Sequence, residues 1–332
     1  MRGRLDGLDV LRGIAALCVL YQHLPEYVPG LSRGFHGYLA VDFFFMLSGY
    51  VIARTYEHRF AEAGVPFLWK RYKRFWPTMA LGTLIGLPML AAYGPVLMLK
   101  YAFLGFLLLP SFGTVNAYPV NVVAWSIAFE LIANAFHRSV FHRLTTAQLL
   151  AATAIMGLLD ACLAARFGTL NLGAQAATFF ALPRVLFPYL AGIVLWRVWR
   201  DRPSFTVPSL PALIALPAWA AIAQGWLADI AFVAVICPLM MAGGLRLRAP
   251  LAGALLGALS FPIYAVQAPV MDLTRLMGGH WLLGVALALA VAASAACAPL
   301  AWRRWRARPA AAGLEGLDVP HRPLWRRAPP AG

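Results

Sequence analysis

Hydrophobic residues fill long stretches of the chain, and short polar or basic segments separate them. A helix needs roughly 20 predominantly apolar residues to cross the hydrocarbon core of a bilayer. The pattern therefore predicts an all-α fold, a polytopic transmembrane helical bundle of about ten spans. The predicted spans are residues 8–24, 38–55, 77–97, 119–137, 147–166, 178–197, 209–226, 229–245, 253–274 and 281–302.

The segment 100–112, KYAFLGFLLLPSF, is apolar but short for a spanning helix. If it does not cross, most clusters of Lys and Arg fall on one side of the membrane. Counting it as a span would move every later cluster to the opposite side. Because cytoplasmic loops collect Lys and Arg, we expect this segment to be re-entrant or interfacial and both termini to be cytoplasmic.

Composition narrows the class of protein. Hydrophobic residues make up 61% of the chain, charged residues 12%, and the mean hydropathy is +0.70. A soluble domain could not bury that much apolar surface, so we expect a multi-pass protein of the cell (inner) membrane, surrounded by lipids. The formal charge of +15 fits basic cytoplasmic loops, and no nucleic-acid partner is expected. We expect a transmembrane domain over 1–308 and a short Pro/Ala/Arg-rich cytoplasmic tail over 309–332.

Two ionisable residues share one face of the first predicted span. Arg12 and His23 are eleven residues apart, which is about three helical turns and a rise of about 16 Å. An ionisable group at the bilayer centre costs at least ~2.5 kcal/mol, so such residues are rare without a function. A plainer interpretation is that Arg12 snorkels to the inner surface and His23 lies in the outer interface. Asp42 follows on the next span, either near His23, where it would orient or charge the imidazole, or as a helix cap.

The segment FLWKRYKRFWP, residues 67–77, gathers Lys70, Arg71, Lys73 and Arg74 among aromatic residues on the predicted cytoplasmic side. One interpretation is a basic cluster that contacts anionic lipid. The other is a clamp for the phosphates of a charged co-substrate, because guanidinium groups match phosphate oxygens in a bidentate way. On the second predicted span, the pair Ser48-Gly49 is interpreted as a position where two helices pack closely.

An intramembrane carboxylate, Glu130, lies in the segment AWSIAFELIAN. Ser126 is four residues earlier and therefore shares its face on a helix, with Trp125 adjacent. Ionisable residues within spans mark functional sites by default, although a purely structural ion pair is the alternative. Arg184, in LPRVLFPYLAG, is predicted as a counter-ion for Glu130.

These groups permit two classes of function. A neutral His23 imidazole can take the proton of a hydroxyl as that hydroxyl attacks a carbonyl, and Glu130 or Asp42 would stabilise the imidazolium. Acyl-coenzyme A offers both an activated carbonyl and phosphates for a basic patch. The same groups would also serve a proton-coupled transporter of an anionic or sugar substrate. The four cysteines share no metal-ligand spacing, so no metal site and no permanently bound cofactor are expected.

The chain resembles the acyltransferase-3 family of integral-membrane O-acyltransferases over nearly its whole length. Six sequence blocks in the family's order carry the resemblance. They are LDVLRGIAALCVLYQH at 8–23, AVDFFFMLSGYVIA at 40–53, FLWKRYKRFWP at 67–77, WSIAFE at 125–130, RVLFPYLAGIVL at 184–195 and LGALSFPIYAVQAPV at 256–270.

The resemblance implies transfer of an acyl group, often acetyl, from cytoplasmic acyl-CoA to a hydroxyl of a glycan, glycolipid or small molecule. It implies that His23 is the catalytic base and Arg12 its essential paired arginine. It also implies that Lys70, Arg71 and Arg74 form the basic motif that holds the CoA phosphates.

The family's Trp-Ser…Glu block falls on Trp125, Ser126 and Glu130, which implies that Glu130 is a functional carboxylate. Two positions depart from the family's pattern. Lys70 stands where an arginine is usual, which keeps the charge but loses a bidentate fork. Gln267 stands where a histidine is usual, and glutamine cannot take a proton. A catalytically impaired relative that serves as a binding or assembly partner is therefore a third hypothesis.

Overall fold

The computed structural model describes residues 3–112, 115–173 and 180–306, which form helices without any β-strand. The α-helices are α1 Asp6–His23, α2 Leu39–Tyr56, α3 Phe60–Gly86, α4 Gly94–Leu107, α5 Ala124–Ser139, α6 Thr146–Phe167, α7 Ala181–Trp199, α8 Ser209–Ile222, α9 Gly225–Ala231, α10 Cys237–Arg246, α11 Pro250–Leu276 and α12 Trp281–Arg306. A π-helical turn, Phe232–Ile236, joins α9 to α10.

The helices fit a membrane bundle, which confirms the predicted fold class. Within the described ranges, seven stretches are long and apolar enough to cross a bilayer. They are Leu39–Arg59, Pro66–Leu107, Thr146–Phe167, Ala181–Trp199, Gly225–Arg246, Pro250–Leu276 and Trp281–Ala298. The remaining three predicted spans correspond to α1, which carries Asp6, Asp9 and Arg12, and to the shorter helices α5 and α8. The number of spans and the location of the termini stay predictions.

Helix α3 differs from the predicted span 77–97. It begins at Phe60 and ends at Gly86, so the basic cluster lies inside the helix and not ahead of it. The physical reason is that hydropathy marks only the apolar part of a helix, whereas Lys, Arg and Trp have ordinary helix propensities and extend it. Arg71 and Arg74 are therefore one turn apart on a fixed helical face.

Helix α4 contains the first part of the apolar segment 100–112 and folds back along α3. The Trp76 indole Nε1 donates a hydrogen bond to the Phe106 carbonyl oxygen, at 2.9 Å. The chain then returns to the end of α3, where Gly86 lies against the Val120 carbonyl. As a result α5 runs antiparallel to α3, and Phe60 near the start of α3 contacts His137 near the end of α5, with ring centroids 5.0 Å apart. An antiparallel pair is what a non-crossing 100–112 segment requires.

Two parallel helix pairs surround this antiparallel pair. Helices α1 and α11 run parallel, because Gly253 lies against Asp6 at one end and the Tyr27 hydroxyl donates to Asp272 at the other, at 3.0 Å. Helices α2 and α7 also run parallel. They are joined by ion pairs near both ends, Asp42–Arg184 and Arg54–Asp201.

The chain divides into two compact units, residues 1–296 and residues 297–332. The first holds all the residues of interest for function. In the second, the structure describes the last turns of α12. The predicted tail 309–332, and the first two residues of the predicted span 178–197, lie outside the described residues.

Candidate active site

A cavity of about 120 Å³ lies among α1, α2, α3, α5 and α11. Its polar lining consists of Arg12, Ser48, Arg71, Arg74, Ser126, Glu130, Ser260 and Tyr264. Apolar side chains, mainly of α2, complete the wall. Val51 and Arg74 line the cavity and are also exposed, so the cavity opens between α2 and α3.

Helix α2 lines the cavity with residues at helical spacing. The lining residues are Val41, Phe44, Phe45, Leu47, Ser48, Val51 and Ile52. Ser48 is the polar member of this face, and its hydroxyl donates a hydrogen bond to Glu130 Oε1 at 2.7 Å. The sequence prediction of a packing role for Ser48-Gly49 is therefore wrong for Ser48. It is confirmed for Gly49, which lies against the Tyr189 carbonyl of α7.

The basic cluster of α3 divides between two environments. Arg71 and Arg74 line the cavity, and the Arg71 guanidinium lies 4.9 Å from the centre of the Phe75 ring. Lys70 and Lys73 are exposed outside the cavity lining, and the Lys73 ammonium lies over the Trp69 ring. Lys70 does not line the cavity, so the absence of a guanidinium at that position does not change the cavity's charge.

Glu130 of α5 is held by hydrogen bonds from two other helices. Arg71 Nη2 of α3 donates to Oε1 at 2.5 Å, and Ser48 of α2 donates to the same oxygen. The Arg71 and Glu130 side chains are only 11% and 13% exposed. The prediction that Arg184 is the counter-ion of Glu130 is wrong. Helix α3 lies beside α5, and its Arg71 is paired with the carboxylate instead.

Arg184 instead forms a fully buried pair with Asp42. Its Nε and Nη2 donate to the two carboxylate oxygens, each at 3.0 Å. Its remaining donors reach the carbonyl oxygens of Leu172 and Tyr38. Of the two alternatives for Asp42, orientation of the His23 imidazole is therefore wrong. The parallel packing of α2 on α7 places Asp42 beside Arg184, and this bidentate pair uses both carboxylate oxygens.

Trp125 and Ser126 begin α5 but have different surroundings. The Trp125 ring lies 5.3 Å from the Arg184 guanidinium and covers the Asp42–Arg184 pair, outside the cavity lining. Ser126 lines the cavity, and its hydroxyl lies 2.6 Å from the Tyr264 hydroxyl of α11. Tyr264 was not predicted as a site residue, although it belongs to the last sequence block.

Arg12 reaches the cavity from α1, where it is partly buried. Its Nη1 donates to Asp9 Oδ1 at 3.0 Å, and Arg4 donates to the other oxygen of the same carboxylate at 2.8 Å. The sequence prediction missed Asp9, although its position three residues before Arg12 is a recognised helical ion-pair spacing. Asp9 restricts the orientation of Arg12 at the cavity wall.

His23 ends α1 and is not among the residues that line the cavity. Because α1 is one continuous helix, its ring is about three turns, roughly 16 Å along the axis, from Arg12. The His23 Nδ1 atom is buried and has no hydrogen-bond partner within residues 3–112, 115–173 and 180–306. Gln267 of α11 is fully buried, and in the described part of the chain neither its Oε1 nor its Nε2 atom has a hydrogen-bond partner.

A buried polar group on α5 was also missed. Tyr189 donates a hydrogen bond to Asn134 Oδ1 at 2.9 Å, and its hydroxyl lies 3.1 Å from His137 Nδ1. All three residues are fully buried. The signal in the sequence is the spacing of Glu130, Asn134 and His137, which puts them on one helical face. Among the described residues, no group of three or more His, Cys, Asp or Glu residues could hold a metal ion.

Comparison with known proteins identifies the family. The chain matches the acyltransferase family described as an acyltransferase domain, Acyl_transf_3, over residues 5–302. A curated relative, "Protein 2 in picA locus" of Rhizobium radiobacter, is 37% identical over 92 residues, which cover 26% of this chain and 44% of that protein. The match thus spans less than half of that relative's length. No solved structure is significantly similar to the chain. Since the family match covers nearly the whole chain, the protein belongs to the acyltransferase-3 family, and its long apolar helices fit a multi-pass membrane protein.

Proposed function

We propose that the protein transfers an acyl group, most simply acetyl, from cytoplasmic acyl-CoA to a hydroxyl of a glycan or glycolipid. The observation that carries this proposal is the convergence of three arginines, Arg12, Arg71 and Arg74, on one cavity of an acyltransferase. The proposed location is the cell (inner) membrane, with the basic side of the bundle in the cytoplasm.

The three arginines supply the chemistry that binds phosphates. Guanidinium groups hold phosphate oxygens through charge-assisted hydrogen bonds, often two at a time. One carboxylate, Glu130, also lines the cavity, and it already receives a hydrogen bond from Arg71. The charged lining thus has an excess of positive charge, and Arg74 presents part of it at the opening.

The size of the cavity limits what it encloses. Pockets that enclose whole drug-sized ligands have volumes of roughly 300–1,000 Å³. A cavity of about 120 Å³ therefore takes only part of a CoA thioester. We infer that the nucleotide remains at the opening beside Arg74, that Arg71 and Arg12 bind phosphate oxygens, and that the acyl-bearing arm continues into the bundle.

His23 is the proposed general base. Its Nδ1 atom is buried and makes no hydrogen bond to any residue that the structure describes, which leaves the imidazole able to accept a hydrogen bond from an acceptor hydroxyl. Since Asp42 is bound to Arg184, no carboxylate of α2 competes for that imidazole. The acyl arm would follow the face of α1 that joins Arg12 to His23.

Transfer of a radiolabelled acetyl group tests this function. Purified protein in lipid nanodiscs is supplied with labelled acetyl-CoA and a lipid-linked glycan fraction from the native membrane. We expect label in the glycan with the wild-type chain and a loss of at least about 100-fold with His23→Ala, in line with the contribution of general acid–base catalysis.

His58→Ala provides a matched control, because His58 lies in the turn after α2, away from the cavity lining. This variant is expected to transfer label as the wild type does. Near-normal transfer by His23→Ala would overturn the assignment of the base. Uptake of a solute into vesicles without any dependence on CoA would instead favour the transporter hypothesis.

A further inference from the structure

Gln267 is a fully buried amide of α11 whose two polar atoms have no hydrogen-bond partner among the described residues. Burying an amide without partners costs free energy, so a fold has no stability reason to place one there. An apolar side chain of the same size would pack equally well. The amide group therefore points to a role outside the stability of the fold.

Gln267 lies on the same face of α11 as two cavity-lining residues, further along the helix. Ser260 and Tyr264 line the cavity, and Gln267 follows at the next position of the same face, with a spacing of i, i+4, i+7. Gln267 lies about 4.5 Å further along the helix axis than Tyr264. The Tyr264 hydroxyl is close to Ser126, so this pair lies between the cavity and Gln267.

The packing of α1 on α11 brings His23 to the same depth. Gly257 lies against Asp9, and Tyr27 is hydrogen-bonded to Asp272. Between these two contacts the helices run in parallel, which places His23 within about one helical turn of Gln267 along the axis. His23 is on the face of α1 that carries Arg12, and Gln267 is on the face of α11 that carries Tyr264; Arg12 and Tyr264 both line the cavity. His23 and Gln267 therefore lie beyond the cavity, at about the same depth in the bundle.

We propose that Gln267 is a further catalytic residue, whose Nε2 amide donates a hydrogen bond to the acyl carbonyl oxygen while His23 acts on the acceptor hydroxyl. This inference rests on the proposed function. The hydroxyl oxygen attacks the thioester carbonyl carbon, a C–O bond forms, and the proton moves to His23. The C–S bond then breaks and the thiolate leaves, taking the proton from His23. In the tetrahedral intermediate the carbonyl oxygen carries negative charge, which a positioned amide N–H stabilises.

A neutral donor suits this position better than a cation. Gln267 is uncharged and needs no counter-ion in the apolar interior, whereas a buried charge would need one. Its amide also keeps an acceptor oxygen, which can hold the substrate at the same time. The positively charged groups that line the cavity lie where the phosphates are proposed to bind; they are Arg12, Arg71 and Arg74.

The variant Gln267→Met tests the proposal, because methionine has a similar length and no amide. Removal of one oxyanion donor typically lowers kcat roughly 100- to 1,000-fold. We expect a fall of that size in kcat for acetyl transfer, an unchanged KM for acetyl-CoA, and a melting temperature equal to or above that of the wild type. Gln267→His, which keeps an N–H donor, is expected to retain more activity than Gln267→Met.

Gln224→Met is the matched control, since Gln224 is exposed in the loop before α9, and it should behave as the wild type. A Gln267→Met variant with wild-type kcat, or one that loses stability in proportion to activity, overturns the inference and leaves the proposed function intact. If the wild-type chain itself shows no CoA-dependent transfer, the proposed function fails and this inference fails with it.

Discussion

Arg71 of α3 and Glu130 of α5 form the ion pair that joins two helices in the cavity wall, with Nη2 and Oε1 2.5 Å apart. Both side chains are nearly buried, so each needs the other's charge. The pair holds the Arg71 guanidinium in one place, beside the exposed side chain of Arg74. The same residues thus hold the bundle together and shape its proposed donor site.

Removal of one member of this pair is expected to destabilise the protein more than removal of both. Arg71→Ala and Glu130→Ala each leave a partly buried charge without its partner, whereas the double variant leaves none. Residues in contact typically show coupling of roughly 0.5–3 kcal/mol. Thermal unfolding of the four proteins in detergent measures this coupling. A decrease in melting temperature for the double variant that equals the sum of the two single decreases would contradict this coupling.

The buried pair of Asp42 and Arg184 is expected to be a structural requirement. Arg184→Ala leaves a fully buried carboxylate unpaired, which costs roughly 3–5 kcal/mol. Arg184→Lys keeps the charge but loses the two-point geometry, so its loss should be smaller. The yield of folded, monodisperse protein and its melting temperature measure both effects.

The ion pair of Arg275 with Asp272 serves as the control, because its side chains are 55% and 32% exposed. Exposed pairs contribute only about 0–1 kcal/mol, so Arg275→Ala should leave the melting temperature nearly unchanged. Equal losses for Arg184→Ala and Arg275→Ala would mean that burial does not determine the importance of the first pair.

Gly49 is expected to tolerate no side chain. A Cβ atom there would collide with the Tyr189 backbone carbonyl of α7, and backbone cannot move as a side-chain end can. Overpacking of this kind typically costs about 1–3 kcal/mol. Gly49→Ala should therefore lower the melting temperature, whereas Gly3→Ala, with nothing within 4 Å of its added carbon, should not. Equal melting temperatures for the two variants would refute close contact between α2 and α7.

The sequence predicted the helical bundle because apolar stretches of spanning length require it. It also predicted that Glu130 shares a face with Ser126, since that relation depends on helical periodicity alone. The choice of partners could not be predicted in the same way. Which carboxylate Arg184 meets depends on which helices are neighbours, and that follows from packing between residues far apart in the sequence, such as Gly49 against Tyr189.

The basic cluster of α3 is a second case in which the sequence pattern could not predict which side chains face the interior. Lys70, Arg71, Lys73 and Arg74 were grouped by charge, and only the packing of α3 against its neighbours shows that Arg71 and Arg74 are the two that line the cavity. Ser48 was interpreted as a packing residue because a serine beside a glycine is typical of helix contacts. Its hydrogen bond to Glu130 depends on the approach of α5, which no local pattern in α2 indicates.

Acetyl-CoA binding tests the central claim, that the arginine-lined cavity holds the donor's phosphates. Arg74 is the residue to change, because it makes no hydrogen bond or ion pair with another described residue, whereas Arg71 is paired with Glu130. Lys73→Ala is the matched control, since Lys73 carries the same charge on the same helix but is exposed and does not line the cavity. A lost charge-assisted hydrogen bond of roughly 1.5–3 kcal/mol corresponds to a decrease in affinity of about tenfold or more.

Isothermal titration calorimetry in detergent, with the wild type and both variants at one salt concentration, gives this comparison directly. We predict that Arg74→Ala raises the Kd for acetyl-CoA at least about tenfold, while Lys73→Ala stays within about twofold of the wild type. A wild-type Kd for Arg74→Ala, or an equal loss for both variants, would contradict the placement of the donor in this cavity.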